Sequence, residues 1–270
     1  VSREILVGTV GRNFFSAGNI RDILTGMSVL GLVAIGQTLV ILGASLDLSV
    51  IYVISLASLI GATTMNGNAA NVPWAVTLTL IVCAAIGLAN GLIVTVLNVN
   101  GFIATLGMGL ILQGVLTTNF QGSAGKVPWE FQLIGATGIG PVPVSTVIMI
   151  ALAALVWLIL DRTRVGAHLF AVGGSPEVSR LSGLRIRRPL VTAHVLSSVF
   201  AGLAGLLLAS RLGVGSPVVG QQGGYDLLSI AAVVLGGTLL LGGRGSVWGT
   251  IGGVAIFAVV TIVALEAFLH

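Results

Sequence analysis

The chain has 270 residues, of which 56% are hydrophobic and only 7% charged, with a formal net charge of +4, whereas soluble domains carry about a quarter charged residues. A mean hydropathy of +1.10, spread over nearly the whole length, excludes water as the main solvent and leaves no stretch for a soluble domain of ordinary size. The single cysteine, Cys83, lies in an apolar run and excludes both a disulfide framework and a cysteine metal site.

Residues 1–270 therefore read as one all-α domain, a polytopic membrane helical bundle. The first apolar stretch, residues 5–10, is too short for a signal peptide and lacks a cleavage-site pattern, so insertion is expected to come from the spans themselves. A hydrocarbon core of about 30 Å takes about 20 helical residues. Eight segments come close to that length, at 26–44, 48–64, 75–97, 102–118, 144–160, 191–210, 226–242 and 246–265. The second and fourth are short and call for tilt, re-entrance or local thinning.

Charge sets the orientation. The connection 161–190 holds Arg162, Arg164, Arg180, Arg185, Arg187 and Arg188 against Asp161 and Glu177, which places it in the cytoplasm. This clustering accounts for the basic balance by topology, and no nucleic-acid partner is expected. Alternation then puts Arg244 inside and the connection around Lys126, Trp129 and Glu130 outside. It also puts Arg3, Arg12 and Arg21 outside, against the positive-inside rule. Either the second segment does not cross fully, or the N-terminal piece follows a span absent from this sequence.

The 39 glycines fit close helix approach in lipid, where contact with an apolar neighbour gains little over contact with lipid. Gly87 and Gly91 recur at four residues, as do Gly245, Gly249 and Gly253. Each group reads first as a packing face and second as a gate or substrate contact.

Within the basic loop, Ser175 suits an N-cap, Pro176 the first helical position and Gly183 the residue just past the end. That punctuation encloses a short helix. Val178 and Leu181 share one face beside Glu177 and Arg180, giving an apolar knob with a charged margin. The knob needs a covering partner, or else the segment is a solvated loop that only fixes topology. No GxxxxGK[ST] phosphate loop exists, and Lys126 in GSAGKVP has the wrong glycine spacing, so any nucleotide is bound by another subunit.

Several ordered motifs resemble the monosaccharide permeases of ABC importers, the ribose, xylose and arabinose type, a family related to the branched-chain amino acid permeases. They are GAHLFAVGGSPEVSRLSGLRIRR at 166–188, AGLAG at 201–205, GGYDLLSIAAVVLGGTLLLGGRGSVWGT at 223–250, GQTLVILGASLDLSV at 36–50 and FIATLGM at 102–108. The resemblance implies a ten-helix pattern, a second permease subunit, two cytoplasmic ATPases that hold ATP and Mg, and a periplasmic substrate-binding protein. It implies that the helix from Pro176 is the coupling helix docking on the ATPase, with Ser175, Pro176, Glu177, Val178, Arg180, Leu181 and Gly183 as its residues. It also implies a bacterial inner-membrane location. The chain departs from the family's GGIDLSVG by placing Ala44, Ser45 and Ile51 where glycines are usual, which puts close backbone approach there in doubt. Relative to the family pattern, the first and last helices are missing.

Polar residues inside the spans are few. Asn90 and Gln113 must bond to a neighbour or face water, so each reads as an interhelical hydrogen bond or a pathway residue, and Phe102 joins them as a candidate along the pathway. Asp47 and Asp226 sit at segment starts, as caps or interfacial groups. His194 lies near the cytoplasmic end of its span, where water is expected, and Glu266 lies near the terminus. His168, His194 and His270 offer no metal-binding spacing.

The expected function is therefore transport of a small sugar by alternating access, with no catalytic residue and no cofactor on this chain. A nucleoside or another small polar solute is the alternative cargo. A secondary transporter would place an ionisable residue in mid-membrane, and none of the eight acidic residues clearly sits there. An intramembrane hydrolase would need a nucleophile and base, for which His194 with Ser197 or Ser198 is a weak pair.

Overall fold

A computed structural model describes residues 17–269, with side chains from 18 to 261 except those of residues 19 and 139. Arg3, Arg12, the Glu266 side chain and His270 lie outside the described residues.

Seven of the eight apolar segments are helical over nearly all their length, and 226–242 is helical only as far as Leu235. The first is α1, Ala17–Leu42, followed by α2, Val50–Met65, α3, Val72–Val96, and α4, Gly101–Asn119. A short α5, Trp129–Ala136, and a two-stranded hairpin of Gly138–Ile139 and Val142–Pro143 lead into α6, Val144–Arg162. Then come α7, Arg164–Gly174, α8, Pro176–Leu181, and α9, Arg187–Leu212. The chain closes with α10, Val219–Gly223, α11, Tyr225–Leu235, and α12, Val247–Leu269.

Five of these helices are long and apolar enough to cross a bilayer by themselves. The seventh crossing is built differently from the uninterrupted segment 226–242 expected from hydropathy. Its helix α11 has 11 residues, about 16 Å, or half a hydrocarbon core. The other half is the chain between α9 and α11, irregular except for the single turn of α10, which returns along α2. There Ser216 N–H donates to Ser58 Oγ (3.1 Å), Ser58 Oγ donates to the Ser216 carbonyl (3.1 Å), and Gly220 N–H donates to Ser55 Oγ (3.0 Å). Two serines of α2 thus satisfy backbone that would otherwise be unpaired in lipid.

Helices α1 and α11 end by the same device. Ser45 N–H bonds to the Val40 carbonyl and Ala44 N–H to the Ile41 carbonyl, and Thr238 and Gly237 bond to Val233 and Val234 in the same way. Both are Schellman ends, which require a left-handed residue. Gly237 supplies one with φ 87°, but at the other Ala44 holds φ 58°. The close approach doubted at this departure is kept by glycines on the facing chain: Gly243 N–H donates to the Leu42 carbonyl (3.0 Å), and a Cβ on Gly173 would stand 1.7 Å from that same oxygen. Replacing Ala44 by Gly removes the left-handed strain and is expected to stabilise the protein by about 0.5–1 kcal/mol, read as a rise of about 2–4 °C in the Tm of the detergent-solubilised protein. An unchanged or lower Tm would show that the turn carries no strain.

Helix α9 forms the centre. A Cβ on Gly36 of α1 would lie 3.0 Å from Ser197 Cα, and one on Gly205 would lie 2.3 Å from the Ile54 carbonyl of α2. Leu32, Ile35, Val53, Ile54, Phe200 and Ala204 fill the space between. The two ends of the bundle differ in charge. Arg162, Arg164, Arg180, Arg185, Arg187, Arg188 and Arg244 share one end, where Gly243 packs on Gly174. Arg21 bonds to the Ala136 carbonyl at the other, the end where Gly67 N–H meets the Lys126 carbonyl. The four tryptophans divide between these levels: Trp74 and Trp129 are exposed at the end opposite the arginines and Trp157 and Trp248 at the basic end. That is the arrangement of two interfacial aromatic belts.

Candidate functional site

At the basic end, α7 delivers the chain to Ser175, whose Oγ accepts the Val178 N–H at 3.3 Å. Pro176 takes the first helical position, where its missing N–H costs nothing, and Gly183 follows the helix at φ 78°. Ser179 turns inward, while Val178 is 60% and Leu181 83% exposed. Glu177 and Arg180 flank them in solvent. The six-residue α8 thus holds two apolar side chains away from the protein at the end where seven arginines gather.

Glycines set the helix contacts near this end. A Cβ on Gly87 would stand 2.5 Å from the His194 carbonyl oxygen and 2.7 Å from Val195 Cα, and one on Gly91 would stand 2.8 Å from Val191 Cα. Both glycines therefore bring α3 against α9. Gly249 and Gly253 place α12 on α11, against the carbonyls of Gly236 and Ala232. Gly245 precedes α12 instead of continuing its face, and lies against Thr238.

The membrane-embedded polar residues separate into two sets. Gln113, half-buried on α4, accepts the Tyr52 hydroxyl at 3.2 Å, and its NH2 has no partner among the described residues. This pair borders the open side of the bundle, where α4 also exposes Ile103, Leu110 and Ile111. Phe102 is exposed near the start of the same helix, where Asn100 caps its N–H at 2.9 Å. Asn90 does not share that face; it is fully buried and donates to Ser49 Oγ at 2.9 Å.

Asn90 instead belongs to a polar cluster around Asp47. Asp47 does not cap α2 itself, whose N-cap is Ser49; it stands two residues before that cap, fully enclosed, and accepts Ser49 N–H at 3.1 Å and Ser49 Oγ at 2.6 Å. Its second oxygen accepts Ser197 Oγ from α9 at 3.0 Å. The Gln37 amide, oriented to satisfy both of its ends, bridges the Asp47 backbone N–H (3.2 Å) and carbonyl (3.3 Å). His194 corrects the expectation of solvation at its helix end, because it is fully buried with Nε2 3.1 Å from Ser45 Oγ. Packing of α1 over this turn of α9 keeps water out. His194 therefore pairs with Ser45 and not with Ser198, whose hydroxyl has no partner among the described residues. Asp226 lies in the first turn of α11, and no group of three metal-binding side chains occurs among the described residues.

Sequence reasoning missed Tyr52, Ser45 and Ser49 as members of these sets, and set Ser197 beside His194 instead of Asp47. A serine or tyrosine in an apolar helix carries no periodic signal. Only the polar partner brought opposite by the fold marks it.

Comparison with known proteins places this geometry. Residues 19–270 match the family described as branched-chain amino acid transport system / permease component. The chain belongs to this permease family. The permease is similar to the ribose import permease of Escherichia coli strain K12, with 39% identity over 258 residues, covering 93% of this chain and 79% of that protein. It is similar also to the galactose/methyl galactoside import permease of Salmonella typhimurium, with 36% identity over 267 residues, covering 92% and 79%. A third relative is the fructose import permease of Rhizobium meliloti, with 36% identity over 265 residues, covering 94% and 72%. No solved structure matches it. The permease is thus a multi-pass membrane transport component and not an enzyme.

Proposed function

We propose that this permease imports a small sugar across a bacterial inner membrane, paired with a second permease subunit and driven by two cytoplasmic ATPases. A substrate-binding protein delivers cargo to the outer end. The observation that supports the drive is the outward display of Val178 and Leu181 on a capped helix at the arginine-rich end. An apolar pair held in solvent by its own helix is a docking knob, and the positive-inside rule puts it where ATP is.

The sugar reading rests on the three relatives above, each named for sugar import and each aligned over more than nine-tenths of the chain. The family model is named for amino acids, whose charged ends would need counter-charges along the route. The open face by α2 and α4 offers instead a phenol and an amide, Tyr52 and Gln113. Such groups suit the hydroxyls of an uncharged sugar. In this scheme ATP and Mg act in the partner, α8 transmits the movement, and cargo passes unchanged.

Gln113→Leu removes the amide at that face. Losing one or two hydrogen bonds, each worth about 1 kcal/mol, is expected to raise KM for uptake by roughly 5–30-fold. ATPase binding should be intact. Ribose, galactose, fructose and a nucleoside, each radiolabelled, serve as cargo in vesicles. Unchanged kinetics with every transported cargo would exclude Gln113 from the path, and transport of the nucleoside alone would overturn the sugar assignment.

A further inference from the structure

The carboxylate of Asp47 is the most deeply enclosed acidic group among the described residues, and nothing in the transport scheme so far uses it. A carboxyl group at this depth is costly and is kept where its bonds do something that an apolar residue cannot. Its bonds join three separate pieces of chain. One oxygen holds the start of α2 through Ser49, the other holds α9 through Ser197, and Gln37 of α1 clamps its backbone. A parallel bond runs from His194 of α9 to Ser45, two residues before Asp47.

The location of these bonds on α9 gives them meaning. Helix α9 starts at Arg187, six positions after the last residue of α8, and runs unbroken to Leu212. Ser197 lies ten residues into it, about 15 Å from its start. A rigid helix carries a displacement from one end to the other, so movement of α8 that passes through the connection 182–186 to the start of α9 reaches Ser197. On the far side of the carboxylate, the Ser49 backbone carbonyl accepts the Tyr52 N–H at 3.1 Å in the first turn of α2, and Tyr52 is the residue that holds Gln113.

The junction is also imperfectly satisfied. Asn90 Oδ1, His194 Nδ1 and Ser198 Oγ are buried without partners among the described residues, and all three stand on α3 or α9 beside it. Unpaired buried polar atoms are expensive. An arrangement that leaves several at one helix contact leaves room for a second register in which they are paired, and a two-register contact is the element that switching needs.

We infer that Asp47 is a positioning residue that ties α9 to the break between α1 and α2, so that coupling-helix movement is delivered to the cargo face at Tyr52. The inference rests on the proposed docking of the ATPase at α8. Asp47 touches neither cargo nor nucleotide; it transmits.

The test uses the complete complex, permease with its ATPase and binding protein, in proteoliposomes, and reads ATP hydrolysed per sugar moved. Ser197→Ala removes the bond to α9 and leaves Asp47 its two Ser49 donors. It is expected to retain ATPase copurification and to raise the ATP-per-sugar ratio several-fold, and Ser197→Thr, which restores a hydroxyl, should return the ratio toward that of the wild type. Asp47→Asn is expected to raise the ratio as well. A role in stability alone lowers uptake and hydrolysis together and leaves the ratio unmoved. An unchanged ratio in both Ser197→Ala and Asp47→Asn therefore overturns the inference, as does loss of the ATPase from the Ser197→Ala complex. Failure of the docking reading registers elsewhere, as an ATPase still bound after Val178 and Leu181 are both changed to Asp.

Discussion

Changing Val178 and Leu181 together to Asp is expected to strip the ATPase from the purified complex and to abolish ATP-driven uptake. Covering each of these side chains on docking contributes about 1.5–3 kcal/mol. Losing both costs about 3–6 kcal/mol, or about two to four decades of affinity, before the penalty of burying two new carboxylates is counted. The helix itself should survive, because its Ser175 cap, its Pro176 start and its buried Ser179 are untouched. Glu177→Gln on the charged margin is the control and should change affinity little, as exposed ion pairs contribute about 0–1 kcal/mol. Pull-down of the ATPase through a tagged permease, alongside uptake by the same cells, reads both effects. If the doubly substituted protein kept its ATPase and its uptake, α8 would have no coupling role.

Gly87→Val is expected to prevent accumulation of folded permease. The two atoms within 2.7 Å of the added Cβ are backbone atoms of α9, so no side-chain rotation relieves the overlap. Overpacking of this kind costs about 1–3 kcal/mol when neighbours can yield and more here, because α3 must separate from α9 over the turn that also holds Gly91 and His194. Gly107→Ala is the matched control on α4, where an added Cβ meets nothing within 4 Å. Monodisperse yield in detergent should fall steeply for the first and stay constant for the second. Equal yields would mean that the contact between α3 and α9 is looser than described.

How much of this was legible in the sequence varies with the physical signal. The spans were readable because burial in lipid demands uninterrupted apolar length: the hydropathy window 191–210 falls inside α9, and 26–44 overruns the end of α1 by two residues. The capped helix α8 was equally legible, since Ser175, Pro176 and Gly183 act locally and their effect does not depend on distant residues. Hydropathy failed at 226–242, where Gly236 and Gly237 end the helix while Leu239, Leu240 and Leu241 keep the average high. Those leucines form a tight turn, with Gly242 N–H bonded to the Leu239 carbonyl. The environments of Asp47 and His194 were invisible for a different reason. Each is buried by chain more than one hundred residues away, and no spacing records such a meeting.

Sidedness of the basic end is the measurement on which the account depends most directly. The only cysteine, Cys83, is buried, so single substitutions Leu181→Cys and Lys126→Cys give a low-background pair for a membrane-impermeant maleimide. The account predicts that Leu181→Cys is labelled in inside-out vesicles and protected in intact spheroplasts, and that Lys126→Cys shows the reverse. Labelling of Leu181→Cys from the outside would put α8 beyond reach of any cytoplasmic ATPase and contradict the account.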